Sequence, residues 1–292
     1  MNPAPDAHAA ELLRFAERLA DESRAVLAAA AAEVTRVDVK ADNSFVTATD
    51  RAIEARLRAR IADAYPHHGV LGEEFGSHGL DADVVWVLDP VDGTAPFIAG
   101  IPVYGTLIGV ARGGRPWLGV LDYPATGDRW VGVDGVLAER NRVPVRTRPC
   151  PQPAAALATC SNPDFFGPDE RPALARVRDQ VRYTLYGASS FAYGLLAAGR
   201  TDLAVDSGLK PYDVFAPAAV VGGAGGVLTE WSGAPLGLDT HGRVVAAGDP
   251  ELHQAALGLL GGEGPGFWHD APAGLPTGET GDRWPPRTCT AS

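Results

Sequence analysis

The residue pattern best suited to chemistry in this sequence is an acidic turn at residues 89–94, Asp-Pro-Val-Asp-Gly-Thr. It follows the apolar run at 84–88, which predicts a buried strand that stops at the turn. A sharp turn at the carboxyl end of a strand directs its polar groups into one pocket. Asp89 and Asp92 would then lie close together, where their like charges repel each other unless a cation holds them. The turn therefore predicts a cation site.

The backbone of the same turn offers further binding groups. The carbonyl of Val91 can add an oxygen ligand to a cation. The N–H groups of Gly93 and Thr94 can bind a phosphate. The alternative is a polar turn without any ligand, and the sequence around the turn argues against it.

Two other acidic residues could complete a site for two metal ions. Glu73 lies in the segment Gly-Glu-Glu-Phe-Gly, 16 residues before Asp89, and would supply an additional carboxylate. Adjacent glutamates are also typical of a solvated loop. Asp213 follows Lys-Pro-Tyr and precedes a helix of small residues. It is either a first-turn acid that stabilises this helix or a ligand of a second metal.

Asp50 closes the segment Val-Thr-Ala-Thr-Asp and also has two interpretations. It could act only as a helix cap, in the same way as its neighbour Thr49. It could instead hold a hydroxyl group, such as that of Thr94, that relays a proton from an attacking water.

Taken together and in this order, these segments resemble the inositol monophosphatase superfamily over roughly residues 10–260. Within it, the chain is most similar to bacterial histidinol-phosphatase-type members. The resemblance depends on the stretches KADNSFVTATDRAIE, GVLGEEFG, WVLDPVDGTAPFIAGIPVYGTLIGV and YGLLAAGRTDLAVDSGLKPYD. It implies an α+β fold, the layered αβαβα sandwich of the inositol monophosphatase and sugar phosphatase type.

The resemblance also implies a role for each candidate residue. The implied metal ligands are the side chains of Glu73, Asp89, Asp92 and Asp213 and the carbonyl of Val91. Phosphate would be bound by Asp92, Gly93 and Thr94. Glu73, Thr94 and Asp50 would be catalytic, with Asp50 paired to Thr94 so that these groups orient the attacking water.

The implied cofactor is Mg²⁺, with two or three ions per active site bridging carboxylates and phosphate oxygens. One ion would make hydroxide available near neutral pH, and the hydroxide would attack phosphorus in line. Another would stabilise the leaving alkoxide. The sequence offers no nucleophilic Cys or Ser motif, so no covalent phosphoenzyme is expected.

The expected substrate contacts depart from the family pattern. Asp206, seven residues before Asp213, matches a family position whose carboxylate contacts the organic part of the substrate, and Glu is usual there. Lys210, next to the Asp213 motif, is also assigned to substrate binding. Ala95 and Pro96 stand where many relatives carry a basic or amide residue. The substrate class therefore stays open.

The charge and cysteine content of the chain limit its partners and compartment. Its 292 residues carry a formal net charge of −11, which argues against nucleic acid and anionic membranes as partners. The cysteines, Cys150, Cys160 and Cys289, lack metal-ligand spacing and indicate free thiols in a reducing cytoplasm. Neither a signal peptide nor a membrane span is predicted. We therefore expect a cytoplasmic enzyme that acts on a small phosphorylated metabolite, and the resemblance implies a homodimer.

Helices and strands in mixed order are expected to position these residues. The pattern predicts helices near 9–34, 49–64, 168–179, 189–198 and 212–224, and strands at 84–88, 105–111, 117–123, 129–133, 155–159, 182–185, 202–205 and 227–231. A Pro- and Arg-rich segment at 140–156 predicts a boundary. It would separate an N-terminal half, 1–145, which carries the phosphate and metal loop, from a C-terminal half, 146–261. Residues 262–292 are predicted to be a disordered tail.

Three functions remain open at this point. The first is hydrolysis of L-histidinol phosphate in histidine biosynthesis, because the ammonium and imidazole of that substrate could pair with Asp206. The second is hydrolysis of an inositol, cyclitol or sugar phosphate, possible because of the departures at Asp206 and Ala95-Pro96. The third is a non-catalytic protein that keeps the fold for binding. The complete acidic set argues against this third function, since clustered carboxylates without a use would only cost stability.

Overall fold

The computed structural model describes residues 4–31, 37–39 and 45–261. The predicted tail at 262–292 lies outside these residues. The helices described are α1 (Ala7–Ala30), α2 (Ala48–Ala64), α3 (Thr94–Ala99), α4 (Arg171–Gln180), α5 (Phe191–Ala197), α6 (Pro211–Gly223) and α7 (Pro250–Gly261). The strands are β1 (Val37–Val39), β2 (Phe45–Thr47), β3 (Gly69–Gly72), β4 (Gly76–His78), β5 (Val84–Asp92), β6 (Gly105–Arg112), β7 (Arg115–Tyr123), β8 (Asp128–Val133), β9 (Leu137–Arg140), β10 (Val143–Pro144), β11 (Leu157–Cys160), β12 (Tyr183–Tyr186), β13 (Leu203–Asp206), β14 (Val227–Glu230) and β15 (Val244–Ala247).

Two large sheets organise the chain. An eight-stranded sheet has the order β10-β9-β8-β7-β6-β5-β3-β4, and a five-stranded sheet has the order β12-β11-β13-β15-β14. The β5–β9 strands form an antiparallel meander, whereas β3 runs parallel to β5. All strands of the larger sheet precede residue 145, and all strands of the smaller sheet follow residue 156. A division into two domains at residue 145 stays a prediction.

The helices cover the sheets in alternating layers. α1 and α2 pack on one face of the larger sheet, and α1 buries Leu12, Leu19 and Leu27 at a spacing that keeps them on one side of the helix. α5 and α6 lie between the two sheets, and α7 covers the outer face of the smaller sheet beside α4. This arrangement confirms the predicted αβαβα sandwich. Among the described residues, no helix combines the length and apolar character needed to cross a bilayer.

Three adjacent glycines allow α6 to lie directly on the larger sheet. Gly109, Gly119 and Gly132 are cross-strand neighbours on β6, β7 and β8. A Cβ atom on Gly119 would lie 2.5 Å from the carbonyl oxygen of Ala216 in α6, and one on Gly132 would lie 2.5 Å from the Cα atom of Val220. The backbone of the helix therefore contacts the backbone of the sheet, and this contact fixes the height of α6 above the sheet.

The connection between the two sheets is anchored. Arg148 donates two hydrogen bonds of 2.6 Å to the buried carboxylate of Asp202, which precedes β13. The N–H group of Thr147 donates to the carbonyl of Ala224, at the end of α6. These hydrogen bonds attach the Pro- and Arg-rich segment to the end of α6 and to the residue before β13.

Two local predictions are wrong. β5 does not stop before Asp89: all nine of its residues through Asp92 are buried, and its pairing with β6 continues past Asp89 with an irregularity between Asp89 and Asp92. That irregularity accommodates Pro90, which cannot donate to a ladder. The N-cap residue of α2 is Thr47, earlier than either candidate, and the Asp50 side chain completes the capping box from the third helical position.

The sequence pattern also does not predict several elements, most of them short. These are β1–β4, β9, β10, β15, α3 and α7. Most of them are strands of four residues or fewer, too short to show a period-2 alternation.

Candidate active site

Three carboxylates from distant parts of the chain meet at the end of β5. Asp89 and Asp92 lie among the last four residues of that strand, and Asp213 lies in the first turn of α6. Each offers an oxygen atom, and these three atoms lie within 4.8 Å of one another. The close contact of α6 with the sheet glycines brings its N-terminus to this position. Oxygen donors at this spacing form a set that suits a hard divalent cation.

Burial and mutual repulsion disfavour the charged forms of these carboxyl groups. Burial, followed by the charges of Glu73, Asp92 and Asp213, raises the pKa of Asp89 well above its usual value. Burial also raises the pKa of Asp92 to about 7, although hydrogen bonds from Ser190 and Tyr123 oppose this increase. The pKa of Asp213 is likewise well above its usual value, mainly because of burial. A cation at this point would remove the repulsion and keep all three groups ionised.

Glu73 lies beside this group and outside the 4.8 Å set. Its charge contributes to the raised pKa of Asp89, Asp92 and Asp213, so it lies near all three. The N–H group of Glu73 donates to the carbonyl of Leu88 at 3.2 Å, and this hydrogen bond ties the loop after β3 to β5. The structure therefore brings together the four acidic side chains that the sequence singles out. Their roles as metal ligands stay a proposal.

Residues 89–94, at the end of β5 and just after it, are held by hydrogen bonds among themselves. Oδ1 of Asp89 accepts from the N–H group of Val91 at 3.0 Å, and the carbonyl of Val91 accepts from Oγ1 of Thr94 at 3.1 Å. Gly93 precedes α3 with φ 74° and ψ 44°, a left-handed conformation that glycine adopts without strain. A Cβ atom there would also lie 2.8 Å from the carbonyl oxygen of Val103. Phosphate binding by this turn stays a prediction.

Asp50 is fully buried near the start of α2. Its Oδ2 atom accepts from the N–H group of Thr47 at 2.9 Å and from the hydroxyl of Thr47 at 2.5 Å. The two residues form a reciprocal capping box. The charge of Asp50 also contributes to the raised pKa of Asp89, so this helix start lies near the pocket. The pairing of Asp50 with Thr94 stays a prediction.

The two residues assigned to the substrate differ in exposure. Asp206, at the end of β13, is 2% exposed and accepts from the N–H group of Ser161 at 2.6 Å and from the hydroxyl of Tyr193 at 2.7 Å. Burial raises the pKa of Asp206, and these hydrogen bonds oppose the increase. Lys210 is exposed, and its backbone N–H group donates to Oδ2 of Asp213 at 2.6 Å. Their contacts with a substrate stay predictions.

Sequence reasoning missed two residues that hold Asp92. The hydroxyl of Ser190 donates to Oδ1 of Asp92 at 3.0 Å, and its N–H group donates to Oδ2 at 3.1 Å. The hydroxyl of Tyr123 donates to the same Oδ2 at 3.1 Å. Both oxygens of the carboxylate are thereby oriented. The available signal was the polar pair Ser189-Ser190 after Gly187. It was missed because the helix predicted at 189–198 includes both serines.

Replacing Ser190 with Ala is expected to weaken binding of a divalent cation. The variant removes the hydroxyl bond to Asp92 and leaves the backbone N–H bond in place. Loss of such a supporting bond typically lowers metal affinity by about 10-fold or more. We expect the Mg²⁺ concentration at half-maximal activity to rise by about that factor. Ser232→Ala, at an exposed loop position, is the matched control, and an unchanged Mg²⁺ dependence in Ser190→Ala would contradict the assignment.

Known proteins resemble this chain in both sequence and fold. The sequence profile of the inositol monophosphatase family matches residues 8–261. Similar proteins include the bifunctional phosphatase IMPL2 of Arabidopsis thaliana, which is chloroplastic, with 41% identity over 86% of this chain and 76% of the relative. They also include a histidinol-phosphatase of Mycobacterium tuberculosis, with 33% identity over 77% of this chain and 88% of the relative.

Other relatives act, by name, on inositol phosphate. The inositol-1-monophosphatase ImpA of Mycolicibacterium smegmatis is 31% identical over 76% of this chain and 82% of its own length. A solved inositol monophosphatase from Zymomonas mobilis superposes with a TM-score of 0.79 and 35% identity, covering 88% of this chain and all of that one. The chain is a phosphoric monoester hydrolase, as these relatives are. It belongs to the inositol monophosphatase family.

Proposed function

We propose that this protein is a Mg²⁺-dependent phosphatase of a small metabolite and that its substrate is L-histidinol phosphate. The observation that carries the proposal is the convergence of Asp89, Asp92 and Asp213 within 4.8 Å, beside Glu73. These side chains are far apart along the sequence, and burying their like charges together is costly unless cations offset it.

The donor set fits Mg²⁺ better than zinc. All the candidate ligands are carboxylate or carbonyl oxygens, which suit Mg²⁺, whereas zinc prefers sites that contain histidine or cysteine. We propose that Glu73, Asp89, Asp92, Asp213 and the carbonyl of Val91 hold two or three Mg²⁺ ions. When bound, these ions supply positive charge that polarises phosphate oxygens and makes hydroxide available from water.

The side chains around the ions would orient the reactants. The N–H groups of Gly93 and Thr94 would bind the phosphate, with Asp92 on the same side. Glu73 would orient the attacking water by accepting one of its hydrogen bonds. The hydroxyl of Thr94, paired with Asp50, would hold the same water for attack in line with the departing alkoxide.

Two observations support histidinol phosphate as the substrate. Relatives named histidinol-phosphatase are 30–33% identical over most of this chain. The protein is also acidic, which suits the ammonium and imidazole groups of that substrate. Asp206 would supply the carboxylate that pairs with them. An inositol, cyclitol or sugar phosphate is the second candidate. The relative named inositol-1-monophosphatase and the Ala95-Pro96 departure support it.

A panel of phosphomonoesters tests the proposal. Purified protein is assayed for phosphate release from histidinol phosphate, inositol 1-phosphate and several sugar phosphates, with Mg²⁺ present and with EDTA. We expect the highest kcat/KM for histidinol phosphate and no turnover in EDTA. Activity on inositol 1-phosphate with indifference to histidinol phosphate would overturn the substrate, and full activity in EDTA would overturn the metal. A cytoplasmic location and a homodimer are also proposed, from the resemblance alone.

A further inference from the structure

One buried acidic residue lies near the pocket without belonging to the proposed ligand set. Glu54 is on α2, and its side chain is completely buried. Its Oε2 atom accepts from the N–H group of Glu74 at 2.7 Å, and its Oε1 atom accepts from the N–H group of Phe75 at 3.2 Å. These are the two backbone groups that directly follow Glu73. The carboxylate therefore holds the loop that carries Glu73.

Arg58 holds the same loop from the same helix. It lies one turn after Glu54, and its Nε atom donates to Oε1 of Glu54 at 2.7 Å. Its Nη2 atom donates to the carbonyl of Gly76. The pair thus binds N–H groups through the carboxylate and a carbonyl through the guanidinium. Arg58 also offsets the charge of Glu54, so the buried carboxylate adds little negative charge to the pocket.

Gly72, the residue before Glu73, leaves room for this pair. A Cβ atom at Gly72 would lie 2.1 Å from Oε1 of Glu54 and 2.8 Å from Nη2 of Arg58. The side chains of α2 therefore occupy the space that a side chain at this position would need. The loop is fixed on its other side by the hydrogen bond from the N–H group of Glu73 to Leu88 of β5.

We propose that Glu54 and Arg58 form a clamp that positions Glu73 against Asp89 and Asp92, and that this clamp sets the affinity of the site for Mg²⁺. The inference depends on the proposed metal-binding role of Glu73. Both residues are positioning residues, since neither belongs to the ligand set. A carboxylate is required at position 54 because three donors converge on it, and an amide would place its own N–H groups against one of them.

The test uses the full chain with Glu54→Gln, which keeps the size of the side chain. Mg²⁺ affinity is measured by calorimetry with Mg²⁺ alone, and by the rise in Tm that Mg²⁺ produces. We expect the Kd for Mg²⁺ to rise by about 10-fold, in the range observed when a supporting hydrogen bond is removed. We also expect kcat to return to within about twofold of the parent value at saturating Mg²⁺. A purely structural role would lower Tm and leave the Kd unchanged, and that result would overturn the proposal.

Matched variants separate the clamp from general effects of α2. Arg60→Ala removes a cation from the same helix that pairs with Glu22 on α1, and it should leave Mg²⁺ binding unchanged. Arg58→Lys keeps the charge at position 58 but cannot donate to both Glu54 and Gly76 in the same geometry, so it should weaken Mg²⁺ binding in the same direction as Glu54→Gln. If Glu54→Gln does not fold, Arg58→Lys provides the same test.

A double variant distinguishes failure of the clamp from failure of the proposed site. In a Glu73→Gln background, Glu54→Gln should cause no further loss of Mg²⁺ affinity, because its effect passes through Glu73. Equal losses in both backgrounds would overturn the clamp. If Glu73→Gln itself left Mg²⁺ binding unchanged, the assigned ligand would be wrong and the proposed site would fail with it.

Discussion

Asp89→Asn is expected to lower kcat/KM by at least about 10³-fold while the protein remains folded. This loss corresponds to about 4 kcal/mol of transition-state stabilisation. The variant keeps the size of the side chain and one oxygen atom, but it removes the negative charge that Asp89 contributes to the cluster of acidic residues. Divalent cations would then bind weakly, and the phosphate would lose the positive charge that balances it. Activity assays across a range of Mg²⁺ concentrations measure this effect.

The same substitution should raise the stability of the metal-free protein. Burial and four neighbouring acidic groups raise the pKa of Asp89, so its charged form is disfavoured in the folded state. A neutral amide at this position removes that cost. We expect a higher Tm for the variant than for the parent protein in EDTA. In Mg²⁺ the order should reverse, since a ligand of the folded state stabilises the parent protein more.

This pair of opposite effects separates a metal site from a structural acidic cluster. Asp81→Asn, at an exposed loop position, is the matched control and should change neither activity nor Tm appreciably. A lower Tm for Asp89→Asn than for the parent protein in EDTA would mean that the Asp89 carboxylate stabilises the fold. Retained turnover in both Asp89→Asn and Asp213→Asn would defeat the assignment of these residues as metal ligands.

The sequence predicts the parts of this site that depend on local residue patterns. The apolar run before Asp89 predicts a buried strand, and a strand from Val84 is present. The small-residue segment after Lys210 predicts a helix, and α6 begins at Pro211 with Asp213 in its first turn. Each pattern places a carboxylate at the end of an element. The resemblance, not the pattern, indicates that these ends meet.

The residues that the sequence does not identify act through long-range contacts. Ser190 and Asp92 are separated by 98 positions, so no local spacing marks their hydrogen bonds. Glu54 follows Ile53 on a helix whose apolar face is easily recognised, and a charged residue at such a place is normally predicted to be solvated. It is buried because the backbone of the next loop supplies its donors. The burial of Glu54 is visible only from the packing of α2 against that loop. The helical period of the sequence does not indicate it.

Gly119→Ala is expected to destabilise the protein by about 3 kcal/mol and to disturb the active site from a distance. The new methyl group would lie 2.5 Å from the carbonyl oxygen and 2.6 Å from the Cα atom of Ala216. Both are backbone atoms of α6, so no flexible side chain can move aside. The helix must rise from the sheet, and Asp213 lies one turn before the point of contact.

The displacement of Asp213 should be visible separately from the loss of stability. A misplacement of about 1 Å can reduce a rate by about 10²-fold, so we expect a fall in kcat/KM of that order at temperatures where the variant is still folded. We also expect weaker Mg²⁺ binding, because Asp213 would no longer face Asp89 at the present distance. Denaturant unfolding and calorimetry with Mg²⁺ measure the two effects.

Gly261→Ala, at the last residue of α7, is the matched control for Gly119→Ala. A Cβ atom at Gly261 would meet nothing within 4 Å, so the same chemical change should leave both stability and Mg²⁺ binding close to those of the parent protein. Parent-like stability in Gly119→Ala would mean that α6 can move without cost. The position of Asp213 would then have to be fixed at the N-terminus of the helix, through the backbone of Lys210 and the carbonyl contact with Ser190, instead of by the glycine contacts.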